Sequence, residues 1–280
     1  MHEHPEHAAS HHHDHGGESA SFSTELLDLD GEVLYEYWDA ALGWVRDLAG
    51  DANTIVDLGA GSGVGTLRLA RLFPDARVTA VDVDETLLAH IRDRADAAGF
   101  GDRVRTVHAD LDHGLPDLGG IDVTWASMSL HHFDDPDRIL REVHTATNAG
   151  GLIALAEFSE VPRMLPSSTK EEHWLSLLRD EHRHALPHLG SEWSSRLSAT
   201  GFDVIGEREI ELHASGPSEA AGRYAQLWLR RLSDRLNERI DDADRDELAR
   251  LVADHGRESV RERDDLDIRG VRTVTIGRRP

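Results

Sequence analysis

The residues best suited to chemistry lie in Val56-Asp57-Leu58-Gly59-Ala60-Gly61-Ser62-Gly63-Val64-Gly65. The apolar run from Ile55 to Leu58 leads into them, and a helical pattern follows. The glycines therefore fall at a strand-to-helix junction, where they let the chain turn tightly and let a ligand touch the main chain. A dinucleotide-binding loop spaces its glycines GxGxxG. Here Gly59, Gly61 and Gly63 give GxGxG, and position 64 is valine, so the spacing is wrong for a nicotinamide cofactor. Asp82 closes the next apolar run, nineteen residues after Gly63. A carboxylate at that strand end can accept hydrogen bonds from both hydroxyls of a ribose. Asp110 follows a third run, in His108-Ala109-Asp110-Leu111, where it could accept from an adenine amine. The bland alternatives are a structural turn for the glycines, a helix cap for Asp82 and a solvated loop acid for Asp110. Asp84 suits the capping task better than Asp82.

Further along, His131 and His132 follow a fourth apolar run. A neutral imidazole there could act as general base, or it could simply pack the turn. Glu157 is a further acid-base candidate, with a structural acid as its alternative. Among the aromatics, Tyr35, Tyr37 and Trp38 could fold over a ligand, and Trp174, Tyr224 and Trp228 could line a pocket. Their helical spacing fits core packing equally well.

The elements that must carry these residues are legible from hydropathy. An amphipathic helix is predicted at 31–48 from Val33, Leu34, Tyr37, Trp38, Ala41, Leu42 and Val45. Strands are expected at 55–58, 77–81, 104–108, 121–126 and 152–158. Helices between them, at 63–73, 84–98 and 136–147, make βαβ units and a parallel sheet. Helical patterns continue over 168–200, broken near Pro187. Strands follow at 202–212 and 271–276, separated by a helical insertion at 218–240 and 243–257 that could cover a pocket. All three proposed binding points then lie at carboxyl ends of parallel strands, where open α/β sheets take ligands.

In this order the motifs resemble those of class I S-adenosylmethionine-dependent methyltransferases, over residues 31–160. Within that family the chain is most similar to the ubiquinone/menaquinone-type, small-molecule subgroup. The resemblance rests on Val56 to Gly63, Val81-Asp82-Val83-Asp84, Ala109-Asp110, Ser127-Met128-Ser129-Leu130-His131-His132-Phe133, Arg141-Glu142-Val143 and Gly150-Gly151. It departs at Ala149, where the family usually has proline, and in the insertion after residue 212. The resemblance implies a Rossmann-like seven-stranded α/β sheet with its last strand antiparallel and helices on both faces. It implies S-adenosyl-L-methionine as cofactor and a small-molecule methyl acceptor. It also implies roles. Asp57 would receive the methionine amine, Gly59, Ala60, Gly61, Ser62 and Gly63 would lie along the methionine chain, and Asp82 would hold the ribose. Val83 would pack on adenine, Asp110 and Leu111 would meet its edge, and Ser127 and Met128 would line the methyl-transfer side.

Composition bounds the rest. The 280 residues hold 30 basic and 53 acidic side chains, a net charge of −23 that argues against nucleic acid as a partner. Lys170 is the only lysine, and the absence of cysteine excludes thiolate chemistry and disulfides. No run reaches the roughly 18 apolar residues of a membrane span. The polar N-terminus is unlike a secretory leader, so a cytoplasmic location is expected. Homodimerisation is left open. Residues 1–23, rich in histidine and acids, are expected to be a disordered tail preceding a methyltransferase domain at 24–280. Within it 31–160 would be the cofactor-binding core, and 161–200 and 213–265 acceptor-side or lid segments. The tail could hold zinc, nickel or copper loosely, and His173, Glu181, His182, His184 and His188 form a second histidine group, but no built metal site is expected. A cofactor-binding regulator, or a metal-binding protein on an inactive methyltransferase fold, are the alternatives to an enzyme.

Overall fold

The computed structural model describes residues 17–166 and 169–280. Seven strands form one sheet in the order β3-β2-β1-β4-β5-β7-β6. They are β1 (Thr54–Leu58), β2 (Arg77–Asp82), β3 (Val104–His108), β4 (Ile121–Ser127), β5 (Thr147–Arg163), β6 (Asp203–Ser215) and β7 (Asp267–Arg278). The first five run parallel, and β7 lies antiparallel between β5 and β6. This is the expected fold, with the helical insertion before the antiparallel strand.

Alternation along each strand divides the core in two. Ile55, Val78, Ala80, Val123, Trp125 and Ala154 face one side. There they meet α2 (Tyr35–Ala49), α3 (Val64–Leu72) and α4 (Glu85–Ala97). Val56, Leu58, Val81, Ala126, Ile153 and Leu155 face the other, against α5 (Pro136–Ala146) and α7 (Trp193–Ala199). A sheet covered on both faces needs apolar residues at nearly every position, which is why these strands read as continuous runs. The helix starts follow local chemistry. Asp84 caps α4 by accepting from Thr86 N at 2.7 Å, and Asp135 caps α5 through Arg138 N at 2.9 Å, with Pro136 at the first helical position.

The predicted helix at 31–48 is two helices, α1 (Gly17–Val33) and α2, separated at Leu34, whose backbone leaves the helical region. The break lets α2 pack on the sheet while α1 crosses the glycine loop. Gly31 lies so close to α3 that a side chain there would strike Val64, and Arg68 of α3 donates to the Gly31 carbonyl at 2.9 Å. The histidine tail expected at 1–23 falls over 1–16 outside the described residues, and 17–23 are already helical backbone.

β5 and β6 are longer than predicted, because β7 pairs antiparallel with both beyond the edge of the parallel sheet, as far as Arg163↔Arg269 and Ser215↔Asp267. The side chains on this extension alternate less cleanly, and they hid it from a hydropathy reading. The segment after Arg163 forms α6 (Thr169–Ala185). The insertion forms α8 (Glu219–Leu236) and α9 (Asp242–Leu251), with Tyr224, Leu227, Leu229 and Leu232 buried. α8 packs on α1 and α6, so the insertion lies on the side of the sheet where the parallel strands end.

One buried cluster ties these parts together. Asp30 of α1 accepts from Arg272 of β7 through both carboxylate oxygens, at 2.6 and 3.1 Å. It also accepts from Trp38 Nε1 at 3.0 Å and Tyr224 Oη at 3.1 Å. Arg272 is 3% exposed and stacks over the rings of Tyr37 and Phe158.

Candidate functional site

The glycine loop is folded back onto the end of β2. Gly59 N and Ala60 N both donate to the Val81 carbonyl, and Gly61 N donates to Asp82 Oδ2 at 2.8 Å. Asp82 Oδ1 accepts from Asp84 N at 3.0 Å. Asp82 is therefore the post on which the loop is hung, with further acceptor capacity on both oxygens. Burial raises its pKa above the ordinary carboxylate value, and the surrounding N–H groups partly offset this. Gly59 is required twice over. Its φ is +66°, and an added Cβ would stand 2.4 Å from Ser129 Cβ. Ser129 in turn donates to the Leu58 carbonyl at 2.9 Å, so the loops after β1 and β4 interlock.

Beneath the loop, Asp57 is 2% exposed and accepts from Thr66 Oγ1 at 2.6 Å. Burial pushes its carboxyl up to about 7. A buried carboxylate held only by Thr66, with no cation paired to it among the described residues, is matched to a cationic ligand group. α3 begins at Gly63 with no side-chain cap and no acid in its first turn, which leaves its N-terminal N–H groups suited to a carboxylate. The Ser62 hydroxyl is buried without a partner. Val83, next to Asp82, is 61% exposed, an unusual position for a valine but suited to an aromatic face. The side chains present thus fit an amino acid joined to a nucleoside: ammonium at Asp57, carboxylate near α3, ribose at Asp82 and base over Val83.

Asp110 and Leu111 follow β3 as expected, but Asp110 is engaged locally. It accepts from Asp112 N at 2.9 Å and pairs with His113 Nδ1 at 2.8 Å. Leu111 is buried, and its carbonyl accepts from Arg138. Ser127 ends β4. Met128 follows with φ +56°, the only non-glycine residue in the left-handed region among the described residues. It is fixed by a bond from its N–H to the Ala156 carbonyl of β5 at 2.8 Å. A non-glycine residue held in that region is strained and marks a site where the neighbouring side chain is aimed.

His131 and His132 form a short 3-10 turn with Leu130, and their rings lie 4.1 Å apart. His131 Nδ1 pairs with Glu157 Oε2 at 2.5 Å, both residues being buried. The other Glu157 oxygen accepts from Leu130 N at 3.0 Å. Glu157 is thus the orienting partner of His131, a relation that spacing in sequence could not reveal. It leaves Nε2 of His131 as the free ring nitrogen. His132 is held well below the ordinary imidazole range by desolvation, by His131 and by Arg231 and Arg235 of α8.

The aromatics divide. Tyr35 is exposed and bonds its neighbour Glu36, while Tyr37 and Trp38 are buried in the α2 core packing. Trp174 and Tyr224 are core residues, and Trp228 packs at the edge of the core. The second histidine group does not converge. His173 faces Asp244, His188 contacts Arg196 and His182 faces the turn after β4; the His184 side chain is outside what is described. A cavity of about 910 Å³ lies between α6 and the extended β5–β7 pair, lined by Phe158, Arg163, Arg179 and His182 among others. No motif in the sequence pointed to it.

Residues 55–151 match a family model described as a methyltransferase domain, about a third of the chain. A 27-O-demethylrifamycin SV methyltransferase of Amycolatopsis mediterranei is 33% identical over 49% of this chain and 56% of its own length. A ubiquinone/menaquinone biosynthesis C-methyltransferase of Cereibacter sphaeroides is 29% identical over 49% of this chain and 54% of its own. The chain thus spans about half the length of these curated relatives. A crystal structure titled as a putative methyltransferase from Bacillus halodurans superimposes with a TM-score of 0.56 at 18% identity, covering 86% of this chain and 98% of that one. The sheet is that of the class I methyltransferase fold.

Proposed function

We propose that this protein transfers the methyl group of S-adenosyl-L-methionine to a small molecule. The observation that carries the reading is the glycine loop hung on Asp82, above a buried Asp57 that has no cation paired to it among the described residues. When bound, the cofactor supplies a methyl group already activated by its sulfonium. Asp57 takes the ammonium, the first turn of α3 the carboxylate, Asp82 the ribose hydroxyls and Val83 the adenine face. Asp110 keeps free lone pairs for the adenine amine despite its local bonds, and Leu111 bounds that edge. Ser127 and the strained Met128 turn border the sulfur, where an acceptor must approach in line.

Methyl transfer of this kind is mostly a matter of alignment and exclusion of water. Where the acceptor must lose a proton, His131 is the better base of the two histidines. Glu157 fixes its ring through Nδ1, which leaves Nε2 to take the proton. The ubiquinone/menaquinone subgroup suggested by the motifs gains no special support, since the similar proteins include O- and C-methyltransferases of unrelated small molecules.

The test is calorimetric titration with S-adenosylhomocysteine, followed by transfer from methyl-labelled cofactor to a broad acceptor set. Saturable one-to-one binding with turnover is expected. Absence of binding ends the proposal. Binding without turnover would favour a cofactor-binding regulator.

A further inference from the structure

The insertion places α8 against α1, and α1 lies over the glycine loop. Arg223 of α8 grips Glu25 of α1 through two parallel hydrogen bonds of 2.6 Å, Nε to one carboxylate oxygen and a terminal nitrogen to the other. Gln226, on the next turn of α8, accepts from the other terminal nitrogen at 2.8 Å and so aims the guanidinium. A second hold comes from α4, where Asp28 of α1 pairs with His90 Nε2 at 2.8 Å and with Arg94. Arg94 also donates to the Ser62 carbonyl at 3.0 Å, so one side chain joins α1 to the glycine loop. Between these residues, Leu27 reaches over the loop. A Cβ added to Gly61 would stand 3.2 Å from Leu27 Cδ1. Leu27 is 38% exposed, so this large apolar side chain is not spent on the core.

The two ends of α1 are held by different physics. At Asp30 and Gly31 the hold is buried: Asp30 meets Arg272, Trp38 and Tyr224, and Gly31 abuts Val64. Over 24–28 the charged side chains, and those they bond on α8 and α4, are partly exposed. A partly exposed ion pair is weak and easily released, whereas breaking a buried one strands a charge. The segment 24–28 can therefore lift while the rest of α1 stays docked.

We propose that residues 24–28 form a strap over the methionine arm of the bound cofactor, with Leu27 touching that arm, and that the Glu25–Arg223 pair sets how often the strap lifts for cofactor and product to exchange. The inference rests on the methyltransferase reading above and adds to it a gate worked by the insertion. A strap that is closed in the free protein slows entry and exit alike. Loosening it raises both rates. Losing a contact made only to the bound cofactor raises dissociation alone.

The test uses the full chain, immobilised for surface plasmon resonance, with S-adenosylhomocysteine in the flow. Glu25→Gln and Arg223→Gln should each raise association and dissociation rates by about fivefold, the scale of a partly exposed pair, with Kd moving less than about twofold. The double variant should be no faster than either single one, because both remove one interaction. Leu27→Ala keeps the pair and should weaken Kd by about threefold. Saturable binding by each variant reports that it is folded, and Glu25→Gln, on the strap itself, carries the test if Arg223→Gln does not fold. Unchanged rates in the Glu25→Gln protein, dissociation rising without association, single effects that multiply in the double variant, or an unchanged Kd for Leu27→Ala would overturn the proposal. Failure of the unmodified protein to take up S-adenosylhomocysteine would be seen first, and would remove the methyltransferase reading itself.

Discussion

Removing the Asp82 carboxylate separates a ligand-holding acid from a helix cap. In the structure its two oxygens hold Gly61 N at 2.8 Å and Asp84 N at 3.0 Å, while α4 is capped independently by Asp84. Asp82→Ala should therefore leave α4 intact but free the glycine loop, and it removes the ribose acceptor. A hydrogen bond to a charged group contributes about 1.5–3 kcal/mol. With the two ribose bonds partly offset by water in the cavity left behind, a net loss of about 2–4 kcal/mol is expected. At 1.4 kcal/mol per factor of ten this is roughly a 30- to several-hundred-fold weaker Kd for S-adenosylhomocysteine. Asp82→Asn keeps one acceptor but turns an NH2 toward the second N–H donor, so about a tenfold loss should follow. Titration calorimetry reads both, and circular dichroism melting checks that each variant is folded. A Kd within threefold of the unmodified protein for Asp82→Ala would refute the assignment of Asp82 to the ribose.

Asp57 makes binding pH-dependent. Its folded pKa of about 7 lies above its ordinary 3.8, so the free protein carries it protonated in mild acid, and this group's stabilising contribution is lost as pH rises through 7. A bound ammonium reverses that preference; affinity for S-adenosylhomocysteine should climb between pH 5 and 7 with proton release, visible as buffer-dependent heat, and Asp57→Asn should flatten the profile. Replacing Asp30 by alanine strands the buried Arg272 and should cost about 3–5 kcal/mol, a clear drop in melting temperature; an unchanged melt would show that the cluster is not stabilising. Glu157→Ala leaves Leu130 N and His131 Nδ1 buried without an acceptor, and a loss of about 2–4 kcal/mol in denaturant unfolding is expected. Gly59→Ala forces a Cβ into Ser129 at positive φ and should abolish cofactor binding, which direct titration would show.

The parallel core was readable because it obeys local rules. β1 and its neighbours are mostly apolar runs, Gly99 and Pro74 stop helices, and Asp84 caps one. The positions of the candidate cofactor-side residues were readable for the same reason, since each lies within a few positions of a strand end. What depends on distant partners was not. The break at Leu34 is set by the docking of α1 on α3, the length of β5 by β7 more than a hundred residues later. His131 is oriented by Glu157, and His132 is shifted first by desolvation and then by His131 beside it. Asp110 shows the opposite limit: its position was foreseen, but its hydrogen bonds to the turn that follows were not.

The antiparallel strand also orders events in time. β7 sits in the middle of one half of the sheet, yet it is the latest of the seven strands in sequence, and it brings Arg272 to Asp30 in the first helix. Until it is in place, β5 and β6 expose unpaired edges and the acid at the heart of α1 lacks its cation. Early segments can collapse, but closure waits on contacts of very high sequence separation, the kind that form slowly. Until β7 slots home, the open edges of β5 and β6 are available to strand-edge association and to proteases.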